Sequence, residues 1–167
     1  LDRINRRYSV SHLEHVIQRL REVKDDPCIA CDVIAGLPGE FDDEFEQTFS
    51  FLKEYGFARL HVFPFSPRPD TPLYAARDRV PESVRDERAA RLRALSSELS
   101  AAYASRQVGR RLDVILERKK ADGWTGLTGN YLHGMVLGVP SDAVPGALLP
   151  VTVARADGLD VSVLEVA

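Results

Sequence analysis

The chain has 167 residues, of which 44% are hydrophobic and 28% charged, and its formal net charge at pH 7 is −3. This balance is typical of a globular protein, and it excludes a disordered chain, a fibrous repeat and a uniformly cationic nucleic-acid binder, but not a local basic patch. Two cysteines are too few for a disulfide scaffold, and the sequence has no signal peptide and no apolar run near the roughly 20 residues of a membrane span, so we expect a cytoplasmic protein.

The first hundred residues alternate between helical and strand patterns. In chain order these are a helix begun by the capping box Ser11–Glu14 and ended before Pro27, a buried strand over 29–35, a helix ended by Gly56, a buried strand over 60–65, a proline-rich loop, and a long helix over 82–106 with leucines on one stripe and arginines on the other. This order is typical of parallel βα units. Because parallel sheets need more than two strands, we expect part of a larger sheet or barrel.

After Gly109 the pattern changes to short β-type runs separated by glycines and prolines. The runs cover 112–116, 131–139, 149–154 and 159–166, and they predict a small antiparallel barrel of about 60 residues. The boundary is expected near Gln107, which gives one domain over 1–106 and a second over 107–167. Because the chain begins with Leu1 and not with Met, it has the look of a piece of a longer protein.

Two stretches place polar groups where a predicted strand ends. In Asp32–Glu40 a strand runs into glycines and a carboxylate, and parallel α/β folds bind ligands at the carboxyl ends of their strands. A tight βα turn with Glu40 as a helix-start charge is an equally good explanation of this spacing. In Leu60–Pro72 the strand ends in Ser66 and Arg68, which could hold a carboxylate or a phosphate. Considered by itself, however, this stretch favours an ordinary surface arginine that holds no ligand.

Together, in this order and spacing, the two stretches resemble the second half of the radical S-adenosylmethionine (SAM) methylthiotransferases. That family usually has a motif near D-V-I-V-G-F-P-G-E-T, a helix, and then L-H-V-F-P-Y/F-S-x-R-x-G-T-P. The segment Ile4–Tyr8 is similar to the residues upstream of these motifs. The segment Gly126–Tyr131 resembles the G-x-T-x-N-Y of the family's TRAM domain, an RNA-binding module. The resemblance is greatest to the branch that acts on threonylcarbamoyladenosine in tRNA.

The resemblance implies an α/β fold, namely the C-terminal part of a radical SAM (β/α)6 partial barrel followed by a small OB-like antiparallel barrel. It implies methylthiolation of C2 of N6-threonylcarbamoyladenosine at nucleotide 37 of tRNA, beside the anticodon, with SAM and two [4Fe-4S] clusters as cofactors. The residues that match the family's cofactor motifs are Ile34, Gly36, Glu40, Phe65, Ser66 and Arg68. The residues expected to contact RNA are Arg110, Arg111, Arg118, Lys119, Lys120, Asn130 and Tyr131.

The sequence departs from the family in three motif positions and in its cysteines. Leu37, Phe41 and Asp70 replace the usual Phe, Thr and Gly; we expect Asp42 to cap the helix in place of the missing threonine hydroxyl. The cysteines that bind both clusters in the family are absent. Cys28 and Cys31 are too few for a cubane, so we expect them to be buried rather than metal-bound. We therefore assign no catalytic and no metal residue, and expect this piece alone to be inactive.

Several alternatives remain open on the residues alone. The basic residues can form a solvated face or contact phosphates, and Trp124 and Tyr131 can stack on bases or fill the barrel core. We interpret His61 as a hydrogen-bonded core residue. The rival functions are an RNA-binding protein whose βα half is scaffold, and the related enzyme that modifies a ribosomal protein. The outer edge of the strand over 29–35 lacks a partner, so we expect either self-association there or a fold supported largely by the helix over 82–106 and the barrel. We also expect partial exposure of Val33, Leu60 and Val62.

Overall fold

The computed structural model describes residues 1–166, and it has an α/β unit followed by a closed five-stranded β-barrel. The elements of the α/β unit are α1 (Val10–Val23), β1 (Ala30–Ala35), α2 (Asp42–Tyr55), β2 (Arg59–Pro64) and α3 (Glu82–Gln107). The barrel strands are β3 (Arg111–Lys120), β4 (Gly123–Thr128), β5 (His133–Leu137), β6 (Leu148–Gly158) and β7 (Val161–Val166). The predicted order of helices and strands, and the barrel after them, are confirmed. No helix within the described residues is long and apolar enough to cross a membrane.

The helix starts differ from the sequence prediction at two places. The capping box of α1 uses Ser9 and not Ser11: the Ser9 hydroxyl accepts from the His12 amide, and Nδ1 of the His12 ring accepts from the Ser9 amide. An imidazole thus takes the place of the expected glutamate. At α2 the expected cap by Asp42 is wrong, because the Glu44 carboxylate accepts the Phe41 amide, 3.1 Å away.

The two strands of the α/β unit pair in parallel, and all three helices pack on one face of this sheet. The covered face includes Val33 and Leu60, which are 7% and 5% exposed, and Val62 packs against the same core. The expected partial exposure is therefore wrong for Val33 and Leu60, which the helices bury, whereas Val62 is only partly buried, as expected.

The opposite sheet face is the open one. It presents Asp32 beside His61 and Ile34 beside Phe63, all of them exposed. The interpretation of His61 as a core histidine is also wrong, since strand periodicity does not say which face the helices cover.

The barrel strands follow the order β3-β4-β5-β7-β6, and β3 pairs with both β4 and β6. Two features differ from the predicted barrel. The sequence pattern missed β4, whose residues Gly-Trp-Thr-Gly-Leu-Thr hold too few β-branched side chains to stand out. The pairing is not wholly antiparallel, because β5 and β7 run parallel. Trp124 fills the core at 5% exposure, which excludes it as a base-stacking residue.

Helix α3 connects the α/β unit to the barrel. Near its middle Leu92 and Leu95 pack into the core of the α/β unit, whereas Tyr103 and Ala104 near its end are buried in the barrel core. The same helix therefore contributes to both hydrophobic cores.

Candidate functional site

The turn after β1 is built around a buried carboxylate. Gly36 and Gly39 have φ values of 76° and 73°, a left-handed backbone that glycine adopts without steric cost. The Glu40 carboxylate turns back to accept the Gly36 amide at 2.8 Å and the Arg88 guanidinium at 2.6 Å. The Glu40 and Arg88 side chains are only 11% and 6% exposed, so this ion pair is largely shielded from water.

A second arginine of α3 connects this turn to the end of β2. The Arg85 guanidinium donates to the carbonyl of Phe65, and its aliphatic part lies against Gly36. A Cβ atom at Gly36 would lie 2.2 Å from Arg85 Cγ, so only glycine fits there. The Phe65 amide in turn donates to the Ala35 carbonyl at 2.8 Å. The two predicted strand-end motifs are therefore adjacent, and one helix fastens both.

A cavity of about 60 Å³ lies between the two strand ends. Its lining includes Gly36 and Phe65, one from each predicted motif, together with Pro67, Arg79, Val80 and Arg85. Arg85 Nε is buried here without a hydrogen-bond partner among the described residues. A volume of this size accommodates about two water molecules or one small polar group.

The six predicted cofactor residues separate into three places. Gly36 and Phe65 line the cavity. The nearby Glu40 carboxylate does not line it and is bonded to the Gly36 amide and to Arg88. Ile34 is 38% exposed and lies on the open sheet face. Ser66 and Arg68 are exposed in the following loop and do not line the cavity. That loop passes through Asp70, whose φ of 64° explains why glycine is usual at this position of the family motif.

The arginines that organise this region were missed by the sequence interpretation, which placed all arginines of the long helix opposite its leucines. In chain order, Arg85, Arg88, Leu92 and Leu95 follow one another at spacings of three, four and three residues. These four residues therefore share one helix face, and this spacing could have shown that both arginines point towards the sheet.

The predicted RNA-binding residues form two groups at opposite ends of the barrel strands. Arg118, Lys119 and Lys120 are exposed at the β3–β4 turn, and we name them the basic cluster. Arg110, Arg111, Asn130 and Tyr131 lie at the other end, where β3 begins and β4 finishes. The six residues of β4 separate the two ends by about 20 Å, at roughly 3.3 Å per residue. These residues thus do not form a single patch.

Two members of the second group already have protein partners. Arg110 pairs with Asp25 and with Gln107, and the Asn130 side chain bonds to Thr128 and Gln107. Tyr131 differs from them: it is 63% exposed at the tip of the β4–β5 loop. Of the two aromatic residues considered for base stacking, Tyr131 is therefore the accessible one.

The two cysteines are free, half-buried and packed against different cores, Cys28 against the barrel and Cys31 against the α/β unit. Burial, with a smaller contribution from Asp32, raises the pKa of Cys31 to about 11. Burial also raises the pKa of Cys28. Both thiols are hence protonated at neutral pH. Within residues 1–166 no three His, Cys, Asp or Glu side chains are grouped as metal ligands would be.

Comparison with known proteins finds a curated relative that aligns with nearly the whole chain. In an alignment of 161 positions that covers 93% of its length, the chain is 34% identical to the threonylcarbamoyladenosine tRNA methylthiotransferase MtaB of Bacillus subtilis. The chain is a homologue of MtaB. The methylthiotransferase resemblance drawn from the strand-end motifs is thereby confirmed. The aligned region amounts to 35% of MtaB, so this homologue spans about a third of its relative.

Two further comparisons add little to the MtaB relationship. No family model matches the chain. Among solved structures, the apo form of Mycoplasma genitalium RNase R aligns with half of this MtaB homologue and 17% of the RNase R chain, at 13% identity and a TM-score of 0.37. A score this low does not define a common fold.

Proposed function

We propose that this chain is the C-terminal portion of a methylthiotransferase that modifies threonylcarbamoyladenosine at nucleotide 37 of tRNA. Residues 1–106 would form the last part of a radical SAM barrel and residues 107–167 a TRAM domain that contacts the RNA. The observation that carries the proposal is the 34% identity to MtaB, because it extends over 93% of the chain and so includes both parts. A tRNA substrate would place the protein in the cytoplasm.

The layering of the α/β unit supports a barrel rather than a doubly wound sheet. Helices cover both faces of a doubly wound sheet but only the outer face of a βα barrel. Here α1, α2 and α3 all pack on one face, and the other carries Asp32, Ile34, His61 and Phe63 in the open. In a barrel that open face would point to the interior.

The residues at the strand ends fit one edge of a SAM site and not the whole of it. The cavity of about 60 Å³ is several times smaller than the roughly 300 Å³ or more of a pocket for a ligand of that size. SAM and two [4Fe-4S] clusters would supply the radical and sulfur chemistry of the full-length enzyme. The described residues offer no ligand set for either cluster, so the chain by itself should be inactive.

The chain's own contribution in this proposal is to hold RNA. The basic cluster offers three exposed cations for phosphates, and Tyr131 offers an exposed aromatic ring for an unpaired base. Since the two lie about 20 Å apart, several nucleotides must separate the phosphates at the basic cluster from the base at Tyr131.

Fluorescence anisotropy with unmodified tRNA over a series of salt concentrations tests the proposal. We expect binding by the intact chain that weakens with salt, and replacement of the basic cluster by three alanines should reduce the slope of log K against log salt by about 2 to 3. The matched control removes three exposed cations of the α/β unit, Lys24, Lys53 and Arg93. Equal effects of both triple variants, or salt-independent binding to a ribosomal protein in place of tRNA, would contradict the proposal.

A further inference from the structure

A fully buried glutamine joins the barrel to the α/β unit. Gln107, the last residue of α3, is 0% exposed, and its side-chain amide donates to the Asp26 carboxylate at 2.6 Å. Its side-chain carbonyl accepts from Asn130 at 3.0 Å and from Arg110 at 3.1 Å. These bonds connect the α1–β1 loop, the β4–β5 loop and the start of β3 at one point. Arg106 also bonds to the Asp26 carboxylate, at 3.0 and 3.1 Å, so the charge is compensated.

The β4–β5 loop depends on this connection for its shape. The Thr128 hydroxyl donates to the Asn130 side-chain carbonyl at 2.7 Å and accepts the Leu132 amide at 2.9 Å. Between them Tyr131 has a φ of 66°, a left-handed conformation that is uncommon for a residue with a large side chain. Such a backbone persists only where its surroundings impose it. Thr128 and Asn130 impose it here, and Gln107 holds Asn130.

We propose that Asn130 is a positioning residue, which fixes the exposed Tyr131 ring relative to α3 instead of contacting RNA itself. This inference rests on the proposed function, because the ring is held for an unpaired base of tRNA. Both ends of the Asn130 amide already have protein partners, whereas the Tyr131 ring is 63% exposed. The resemblance assigns both residues to RNA binding. The hydrogen bonds instead indicate that Tyr131 contacts the RNA and that Asn130 supports the loop.

The test combines tRNA binding by the intact chain with amide hydrogen exchange, using the variants Asn130→Ala, Gln107→Met, the double variant and Tyr131→Ala. Gln107→Met keeps the side-chain length and leaves Arg106 bonded to Asp26. We expect Asn130→Ala and Gln107→Met each to weaken binding about tenfold, as when a loop holds its binding conformation a tenth of the time. The double variant should bind tRNA at least as tightly as the single variant with the lower affinity, because both substitutions disrupt the same connection. Tyr131→Ala should weaken binding about 5- to 100-fold through lost stacking.

Hydrogen exchange separates support from contact. The Leu132 amide should exchange faster in Asn130→Ala and Gln107→Met and at the wild-type rate in Tyr131→Ala. The inference would be overturned if the losses of affinity in the two single variants multiply in the double variant while the Leu132 exchange rate is unchanged. Asn130 would then be a direct contact to RNA. If the wild-type chain does not bind tRNA, the proposed function fails, and Leu132 exchange still decides whether Asn130 holds the loop. An exchange rate that Asn130→Ala leaves unaltered would overturn that role.

Discussion

Replacing Arg88 by methionine should be among the most destabilising single changes in the chain. Methionine fills a similar space but leaves the Glu40 carboxylate, 11% exposed, with the Gly36 amide as its remaining hydrogen-bond donor. Breaking a buried ion pair by removal of one partner costs about 3 to 5 kcal/mol. Domains of this size have unfolding free energies of about 5 to 15 kcal/mol, so about a fifth or more of the stability is at stake.

Two further variants show whether the loss comes from the buried carboxylate. Asp42 also pairs with Arg88, but its side chain is 94% exposed, so Asp42→Asn should leave the unfolding free energy within experimental error. Adding Glu40→Gln to Arg88→Met should restore about 1 to 2 kcal/mol, because an uncharged amide is cheaper to bury and still accepts the Gly36 amide.

Urea unfolding followed by two signals measures these differences. Fluorescence of Trp124, the single tryptophan, reports on the barrel, and far-ultraviolet circular dichroism reports mainly on the helices. A loss below about 1 kcal/mol for Arg88→Met, or a double variant less stable than Arg88→Met alone, would refute the view that a water-shielded ion pair holds the strand-end turn.

Three other predictions concern single positions and the sheet edge. Gly36→Ala should lower the unfolding free energy by about 2 to 4 kcal/mol. The control Gly146→Ala has a similar φ of 85° but nothing within 4 Å of the added Cβ, so it should lower the unfolding free energy by only about 1 to 2 kcal/mol. Equal losses would show that the structure around Gly36 can relax. With its pKa near 11, Cys31 should react with iodoacetamide at pH 8 far more slowly in the folded than in the unfolded chain, and equal alkylation rates would contradict this. The raised pKa should also stabilise the fold fully below pH 9 and progressively less as the pH rises to 11. The chain should self-associate through β1 and the open sheet face as its concentration rises in light scattering, and the pair of changes Ile34→Lys and Phe63→Lys should reduce this; a monomer at all concentrations would count against it.

The sequence was sufficient for the elements whose patterns are strong. Helices α2 and α3 have clear periodicity, and β1 and β2 are short apolar runs, although only one face of each strand is covered. The Gly56 end of α2 is confirmed by its φ of 56°. It was insufficient for β4, where small residues dilute the strand pattern, and for the start of α1, where two serines compete for one cap. Strand β4 is defined by its pairing with β3 and β5, whereas the start of α1 is decided by the local hydrogen bonds between Ser9 and His12.

In the candidate site, too, the motif residues could be predicted from the sequence, whereas their tertiary contacts could not. The motif residues Gly36 and Phe65 could be named from the sequence, and the structure brings them to one cavity. Their attachment to Arg85 and Arg88 joins residues about 20 to 50 positions apart, which spacing within one motif cannot show. Likewise, the exposure of His61 depends on which sheet face the helices take, a property of packing and not of the strand itself.

The continuity of α3 has a consequence for how the protein can be divided. Its 26 residues extend for about 39 Å, at roughly 1.5 Å per residue, from the arginines that hold the strand ends to the residues that enter the barrel. A barrel expressed from residue 107 onward would lack Tyr103 and Ala104, which are 1% and 0% exposed, and its core would be open to water where they now lie. The sequence boundary near Gln107 separates two folding patterns. A separable module would have to begin inside the helix, and cutting there would free the other part of α3 from one of its two anchors.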